Sequence, residues 1–346
     1  MKIKHLVLAT FILVLALALA ACAGSEGPAG PQGPAGPAGP EGPAGPAGSA
    51  GEGGGAMAAS DLTCTECHNE TTIITGKKAA WEDSIHGTGE AFVRGTSAGC
   101  AGCHSGGAFK EMIAAGLNPS EVESGDPNPT HQDCRTCHQI HMTYTGEDWA
   151  LTTTDAVTLY AFEDATFDGG GGNLCANCHQ PRRVMEAEGG IVNWSSTHYG
   201  PHHGPQSAML LGIGGAGDAA EGSPSAHATM VADTCVTCHV GENDDHSFAP
   251  NVASCLGCHA DIEEFDFSGL QTEVEEKLAE LADLLVAKGM WDAETGEPVV
   301  GEYPEADAAA MWNYVLIHHE DSSRGVHNPA YTKALLDWSI AQLGGE

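Results

Sequence analysis

The feature that most constrains this chain is a five-residue motif, C-x-x-C-H, that occurs six times. Twelve of the thirteen cysteines fall in these pairs, and the residue after each pair is always histidine. The cysteines are Cys64, Cys67, Cys100, Cys103, Cys134, Cys137, Cys175, Cys178, Cys235, Cys238, Cys255 and Cys258, and the histidines are His68, His104, His138, His179, His239 and His259. Histidine makes up 18 of 346 residues, so six matches in six have a chance probability on the order of 10⁻⁸.

The histidine after each pair separates three kinds of cysteine chemistry. Zinc sites and disulfides also use cysteine pairs, but neither requires histidine directly after each pair. Attachment of haem c does require it, because the two thiols form thioethers with the haem vinyl groups and the histidine is an axial ligand of the iron. The sequence therefore predicts six covalently bound haem c groups. It also predicts an exported protein, because this attachment takes place outside the cytoplasm.

The first 21 residues predict a secretory signal. Two lysines precede an apolar run over residues 6–21, which is short for a membrane span. The run ends in Leu19-Ala20-Ala21-Cys22, which resembles the bacterial lipobox, and Cys22 is the cysteine outside the C-x-x-C pairs. We expect cleavage before Cys22 and lipidation of its thiol, which would anchor an exported lipoprotein durably in the outer membrane.

Residues 22–59 predict a collagen-like stalk and a hinge. Glycine occupies every third position from Gly24 to Gly51, and proline mostly follows it. This period suits either a homotrimeric triple helix or a monomeric polyproline II spacer. As a spacer, the 27 residues from 24 to 50 would extend over about 84 Å. Either form would hold the rest of the chain away from the lipid.

Residues 60–265 predict a hexahaem-binding domain. The first cysteines of successive motifs are 36, 34, 41, 60 and 20 residues apart, and aromatic residues make up only 6% of the chain. Six large apolar groups would then form much of the core. We expect a mainly α fold with much irregular structure, short helices at the motifs, few strands, and glycine-rich loops (169–172 and 212–217) that wrap the cofactors.

Residues 266–346 predict a helical segment packed on the haem domain. Apolar residues recur at helical spacing from Val274 to Leu285, and Gly289 can end that helix. A second helix is predicted over 305–320. A third begins after Asn328 as N-cap, with Pro329 in its first turn. Their apolar faces suit internal packing and would also allow a dimer contact.

The charge of the chain limits its partners. Thirteen basic residues face 47 acidic ones, for a formal net charge of −34. Nucleic acid and anionic membrane surfaces are excluded as partners by this charge. Cationic redox proteins, metal ions and oxidised mineral surfaces suit it, as does simple solubility.

The run from "HYGPHHGPQ" through "DHSF" to "MWNYVLIHHEDSSRGVHNPAYTKALL" resembles the multihaem cytochromes c of metal-respiring and related anaerobic bacteria. The resemblance spans residues 60–343. Eleven histidines remain besides His5 and the six of the motifs, and this surplus favours two histidines on every iron. The resemblance implies distal ligands at His86, His141, His203, His227, His246 and His327, with His131 and His202 in reserve.

The resemblance implies electron transfer along a row of haems in anaerobic respiration, with other cytochromes or an extracellular metal oxide as partners. The C-terminal helices and "GVHNPAY" also resemble nitrite, hydroxylamine and tetrathionate enzymes, which keep one haem with an open position. C-x-x-C-K is absent from this sequence, and few basic residues could flank such a site: Arg135, Arg182, Arg183 and Arg324. Electron transfer is therefore favoured over catalysis. A third alternative is a subunit of a cytochrome filament.

Overall fold

A computed structural model describes residues 72–202, 204–241 and 244–345. The architecture is mainly α-helical with much irregular structure, in agreement with the sequence. The predicted signal (1–21) and stalk (22–59) lie outside the described residues, together with Cys22 and the first motif, Cys64, Cys67 and His68. All described residues belong to one unit that spans residues 57–346.

Helices before residue 265 are short. They are α1 (Thr72–Asp83), α2 (Ile85–Thr88), α3 (Ala101–His104), α4 (Gly106–Ala114), α5 (Cys134–Cys137), α6 (Asn173–Ala176), α7 (Gln206–Leu211), α8 (Ala226–Met230) and α9 (Cys235–His239). Short 3₁₀ turns lie between them at Glu90–Thr96, Pro119–Glu121, Gly146–Trp149, Gly170–Gly172, Val252–Cys255 and Phe267–Gly269. Helices of this length are not stable alone, so their surroundings hold them.

Strands form three small antiparallel pairs in the described part of the chain. β1 (Val157–Leu159) pairs with β2 (Phe162–Phe167), and Val157 lies opposite Phe167. β3 (Ile191–Trp194) pairs with β6 (Gly301–Pro304), with Ile191 opposite Pro304. β4 (Trp291–Asp292) pairs with β5 (Glu297–Pro298). The β3–β6 pair ties the motif-bearing region to the C-terminal segment.

The three predicted C-terminal helices are confirmed. α10 spans Leu270–Ala287, and Gly289 follows it in the left-handed region at φ 69°. α11 spans Glu305–Val315 and continues as a π-helical turn, Leu316–Asp321. α12 spans Pro329–Gly344, and the Asn328 side chain accepts a hydrogen bond from the Tyr331 N–H. These are the long apolar-patterned segments of the chain, which is why periodicity predicts them well.

The main hydrophobic core lies among α10, α11 and α12. Val274, Leu281 and Leu285 of α10 are completely buried, and Trp312 of α11 packs edge-on against Trp194 of β3. The Trp312 Nε1–H donates to the Gly214 carbonyl at 2.9 Å. This core reaches into the preceding region through Val192 and Trp194 of β3 and Met209 of α7.

The loop at 212–217 differs from the prediction that glycine-rich loops wrap cofactors. It packs on the C-terminal helices: the Asn313 amide bonds both the N–H and the carbonyl of Ala216, and the Gly215 N–H donates to the Tyr331 hydroxyl at 2.8 Å. A Cβ at Gly217 would lie 2.1 Å from the Trp338 ring. Glycine is needed here for close helix contact, which sequence composition does not distinguish from a cofactor contact.

Candidate haem-binding sites

Each described C-x-x-C-H motif lies on one helical turn. Four begin or end short helices (α3, α5, α6, α9), and the last follows the 3₁₀ turn at Val252–Cys255. The N–H groups of His104, His138, His179 and His259 each donate to the carbonyl of the first cysteine of their motif, at 2.9 Å. Side chains at i, i+3 and i+4 share one helix face. The motif spacing therefore presents two thiols and one imidazole to the same side.

The histidine of each described motif faces a histidine from elsewhere in the chain. The distances between ring centres fall in a narrow range, from 6.0 to 6.4 Å. The pairs are His104 with His202, His138 with His246, His179 with His86, His239 with His327, and His259 with His227.

These distances fit two imidazoles that bind opposite sides of one metal. A metal–imidazole bond is about 2.0 Å, and with about 1.1 Å from nitrogen to ring centre the two centres come about 6.2 Å apart. Edge-on ring contacts reach similar distances, such as the 6.5 Å between Trp194 and Trp312, so the indication of a metal is the recurrence of this distance at all five described motifs. The five pairs therefore have the spacing expected for an iron atom between their rings.

Hydrogen bonds fix the orientation of six of these paired imidazoles. In each case Nδ1 is engaged, which leaves Nε2 for a metal. The partners of Nδ1 are the Trp149 carbonyl for His138, the Gln206 side-chain oxygen for His179, the Val326 carbonyl for His227, the Phe248 carbonyl for His239, the Asp244 carbonyl for His246 and the Asp321 carboxylate for His327.

Burial keeps several of these histidines neutral. Desolvation, aided by the neighbouring His179, lowers the pKa of His86 to about 4. Burial is also the main cause that lowers the pKa of His138, His179 and His239. Neutral imidazole is the form that binds a metal. The sites thus favour the ligating state at neutral pH without a cost for proton release.

His327 has a different electrostatic setting. Its Nδ1 lies 2.6 Å from Oδ1 of Asp321, whose side chain is completely buried. Burial tends to lower the pKa of His327, but the charge and hydrogen bond of Asp321 outweigh it, so the pKa is raised. The second oxygen of Asp321 accepts hydrogen bonds from the N–H and hydroxyl of Ser323. The carboxylate is thereby held on the imidazole.

Apolar side chains stand beside the histidine pairs. Ile85 precedes His86 and is 76% exposed, Met230 follows His227 by one helical turn and is 78% exposed, and the Phe267 ring lies 4.5 Å from His259. A haem is a flat apolar macrocycle, so side chains of this kind are suitable walls for it. The donor set and its surroundings both fit covalently bound haem.

Neighbouring motifs touch one another. The Cys178 sulfur lies 3.9 Å from the Cys103 carbonyl oxygen, and the Cys235 sulfur lies 3.9 Å from the carbonyl oxygen of Gly172, three residues before Cys175. Cys137 and Cys178 pack against the same small apolar cluster, and α9 contacts the 3₁₀ turn at Val252–Cys255. The motif at 175–179 thus lies near three others, and the motif at 235–239 lies next to the last one.

Four of the six predicted distal histidines face motif histidines: His86, His227, His246 and His327. His203 lies outside the described residues, and His202 is the residue that faces His104. His141 stacks on Tyr144, with ring centres 5.5 Å apart, and is paired with none of the five described motif histidines. The first motif, with His68, lies outside the described residues, so the ligand role of His141 stays a prediction.

Sequence reasoning placed His202 only in reserve and did not single out Gln206, Phe248 or Asp321. His202 and His203 are adjacent residues of the same type, so composition alone does not decide between them. Gln206, Phe248 and Asp321 each accept a hydrogen bond from the Nδ1 of a paired histidine, and most of these partners are not close in sequence. The one signal available was the short spacing from Asp321 to His327.

Three further structural findings concern the described residues only. None of their helices combines the length and the apolar character needed to cross a membrane. Their cysteines form no disulfide bonds. Within this part of the chain, no group of three or more His, Cys, Asp or Glu residues is arranged to hold a metal ion.

Comparisons with known proteins give one structural likeness. The chain is similar to a crystal structure of the outer cell wall cytochrome OcwA, with a TM-score of 0.51 and 20% sequence identity. The match covers 77% of this chain and 50% of that one, so the chain spans about half the length of OcwA. At this identity the likeness shows a shared fold. No protein-family model matches the chain, and no curated protein sequence matches it.

Proposed function

We propose that this protein is a hexahaem c-type cytochrome that carries electrons along a row of haems with two histidine ligands each. The observation that carries the proposal is the set of five histidine pairs at 6.0–6.4 Å beside the C-x-x-C cysteines. The fold likeness to a cytochrome, OcwA, supports it. When bound, the haems supply one-electron redox chemistry.

The residues of the chain have three roles in this proposal. The cysteines would attach the cofactors covalently, so none would dissociate once attached. The paired imidazoles of the five described motifs would hold the haem irons, which disfavours substrate binding at these five sites. Contacts between motifs, such as Cys178 with the Cys103 backbone and Cys235 with the backbone of Gly172 just before Cys175, would hold successive cofactors close enough for electron exchange.

Electron transfer is favoured over the reductase alternative by the surroundings of the basic residues. A reductase needs cations beside an open haem. Arg135 pairs with Asp133 at 2.8 Å and Arg324 with Glu275 at 3.0 Å, while the Arg183 guanidinium lies over the Tyr199 ring. Acidic or aromatic partners thus engage these three side chains.

We also propose, from the sequence alone, that the protein is exported and anchored at the outer membrane through Cys22. The collagen-like stalk would extend the haem domain toward other cytochromes or a metal oxide. The negative charge of −34 favours a cationic partner surface.

Protein-film voltammetry of the purified holoprotein tests the proposed function. We expect reversible one-electron signals that nitrite, hydroxylamine and tetrathionate leave unchanged. A catalytic wave with any of these three compounds would refute the electron-transfer assignment and support the reductase alternative.

A further inference from the structure

The buried carboxylate of Asp321 is a feature that haem attachment and axial ligation leave unexplained. Nδ1 hydrogen bonds are seen for six of the paired histidines, and in five of them the acceptor is an uncharged carbonyl or amide oxygen. For His327 the acceptor is a carboxylate, at 2.6 Å, on a side chain with no solvent exposure. The five other bonds act as internal references for this one.

We propose that Asp321 lowers the reduction potential of the haem attached at Cys235 and Cys238, so that this haem is a low-potential step inside the row. The inference rests on the proposed function and goes beyond it, because it assigns one site a distinct redox role. Asp321 is a positioning and tuning residue, since it contacts the ligand His327 and not the iron.

The physical reason has two parts with the same sign. A carboxylate that accepts the Nδ1 hydrogen bond makes the imidazole a stronger donor to the metal, which favours the ferric state. A buried negative charge also favours the ferric state directly, because ferric haem carries one more positive charge than ferrous haem. Both effects make reduction of this haem harder.

The position of the site gives this effect a consequence. Cys235 packs in the same apolar cluster as Ala176 of one neighbouring motif, and α9 contacts the 3₁₀ turn that carries Cys255 of the other. An electron that travels between the inner motifs and the last motif meets the site of His239 and His327 on this route. A low potential at this haem would slow the transfer of electrons between the inner haems and the last haem. Electrons would stay on one side of it until a difference in potential drives them across.

Gln206 provides the matching site on the neighbouring motif. Its Oε1 accepts from His179 Nδ1 at 3.1 Å, and its Nε2 donates to the carbonyls of Glu320 and Asp321. Residues 320–321 thus support ligands of two adjacent sites. They hold His179 through the neutral amide of Gln206, and they hold His327 directly through the carboxylate of Asp321. This allows one substitution to remove the charge and another to introduce it.

The test is spectroelectrochemical titration of the full holoprotein and of Asp321→Asn. Asparagine keeps the shape and an acceptor but removes the charge. We expect one of the six midpoint potentials to rise, with roughly a tenfold or larger change in the reduction equilibrium, which corresponds to about 59 mV for one electron. Asp233→Asn is the control, because it removes a carboxylate beside the same Cys235 while keeping an acceptor for the Gly171 N–H; we expect a smaller shift.

Unchanged potentials in Asp321→Asn would overturn the inference, and so would an equal shift from Asp233→Asn. If Asp321→Asn fails to fold or its haem becomes high-spin, the same titration of Gln206→Glu tests the inference instead. A lowered single potential there supports tuning by a carboxylate, and an unchanged potential refutes it. A pyridine haemochrome assay of the parent protein counts its haems separately. A count other than six would contradict the proposed function, whereas unchanged potentials in a protein with six haems would contradict only this inference.

Discussion

The motif-bearing region before residue 265 and the C-terminal helices after residue 270 bury apolar groups in different ways. Nineteen of the 23 residues of the main core lie beyond residue 270. The earlier region has two small clusters, of six and three buried residues, and motif cysteines border both of them. Side chains form the core of the C-terminal helices, whereas in the proposed function the haems form much of the core of the motif-bearing region.

This difference explains why the two regions have different sequences. A helix that packs on helices needs an apolar stripe, as in α10 with Val274, Leu278 and Leu281. A chain that packs on haems needs cysteines, histidines and turns in the right places, and its helices can be one turn long. The lesson is that weak periodicity beside dense ligand motifs is a sign of a cofactor core.

The largest test of this contrast is to withhold the cofactor. We expect a chain made without haem attachment to lose amide protection across residues 72–265, because cofactor binding energy there is folding energy. Helices α10 to α12 should keep more protection, since their core is made of side chains. Hydrogen-exchange mass spectrometry measures both regions in one sample. Equal amide protection in the two regions would contradict the claim that only the motif-bearing region depends on haem for its core.

Loss of a single ligand is the next largest effect. We expect His246→Ala and His227→Ala each to convert one haem per molecule to the high-spin state, because each removes one of two axial imidazoles. His131→Ala serves as the control: this ring contacts Phe92 and hydrogen-bonds the His86 carbonyl but faces none of the described motif histidines. Resonance Raman spin-state bands provide the measurement. A high-spin haem in the control, and none in the other two, would refute the ligand pairs.

The adjacent histidines 202 and 203 give a sharper version of that test. The ring of His202 lies 6.0 Å from that of His104, so His202→Ala should produce one high-spin haem. The sequence resemblance instead implied His203 as a ligand. Optical titration of both variants with cyanide compares them directly. Cyanide binding to His203→Ala but not to His202→Ala would show that His203, and not His202, is the ligand opposite His104, which would contradict the structure.

A smaller effect is expected in the side-chain core. Leu281 is completely buried, and we expect Leu281→Ala to lower the free energy of unfolding by about 2–5 kcal/mol. The exposed neighbour Glu280→Ala should change it by less than about 0.5 kcal/mol. Chemical denaturation followed by far-ultraviolet circular dichroism gives both values. Changed haem potentials in Leu281→Ala, with stability unaffected, would contradict the separation of the two cores.

Much of the candidate site was predictable because attachment chemistry is local in sequence. A thiol, a second thiol three residues on and an imidazole next to it define a motif without knowledge of the fold. The helices α10 to α12 were predictable for a related reason, since their apolar stripes and caps such as Asn328 are local signals. The partners of the motif histidines are not local: His86 meets His179 and His227 meets His259 only in the folded chain.

The hydrogen bonds behind the ligands were beyond sequence reasoning for the same reason. Phe248 offers its carbonyl to His239, and its ring lies 4.9 Å from that of His86. One residue thus supports ligands of two sites, although nothing in "DDHSFAP" marks it. The glycines of 212–217 were misassigned because a loop that packs on helices and a loop that packs on haem have the same composition.

The proposed function requires the described histidine pairs to be axial ligand pairs on haem iron. Quantitative electron paramagnetic resonance of the fully oxidised protein measures how many irons have two such ligands. We expect at least five of the six ferric haems to be low-spin, one for each pair at 6.0–6.4 Å. Two or more high-spin haems per molecule would contradict it, because at least one pair would then fail to bind iron from both sides.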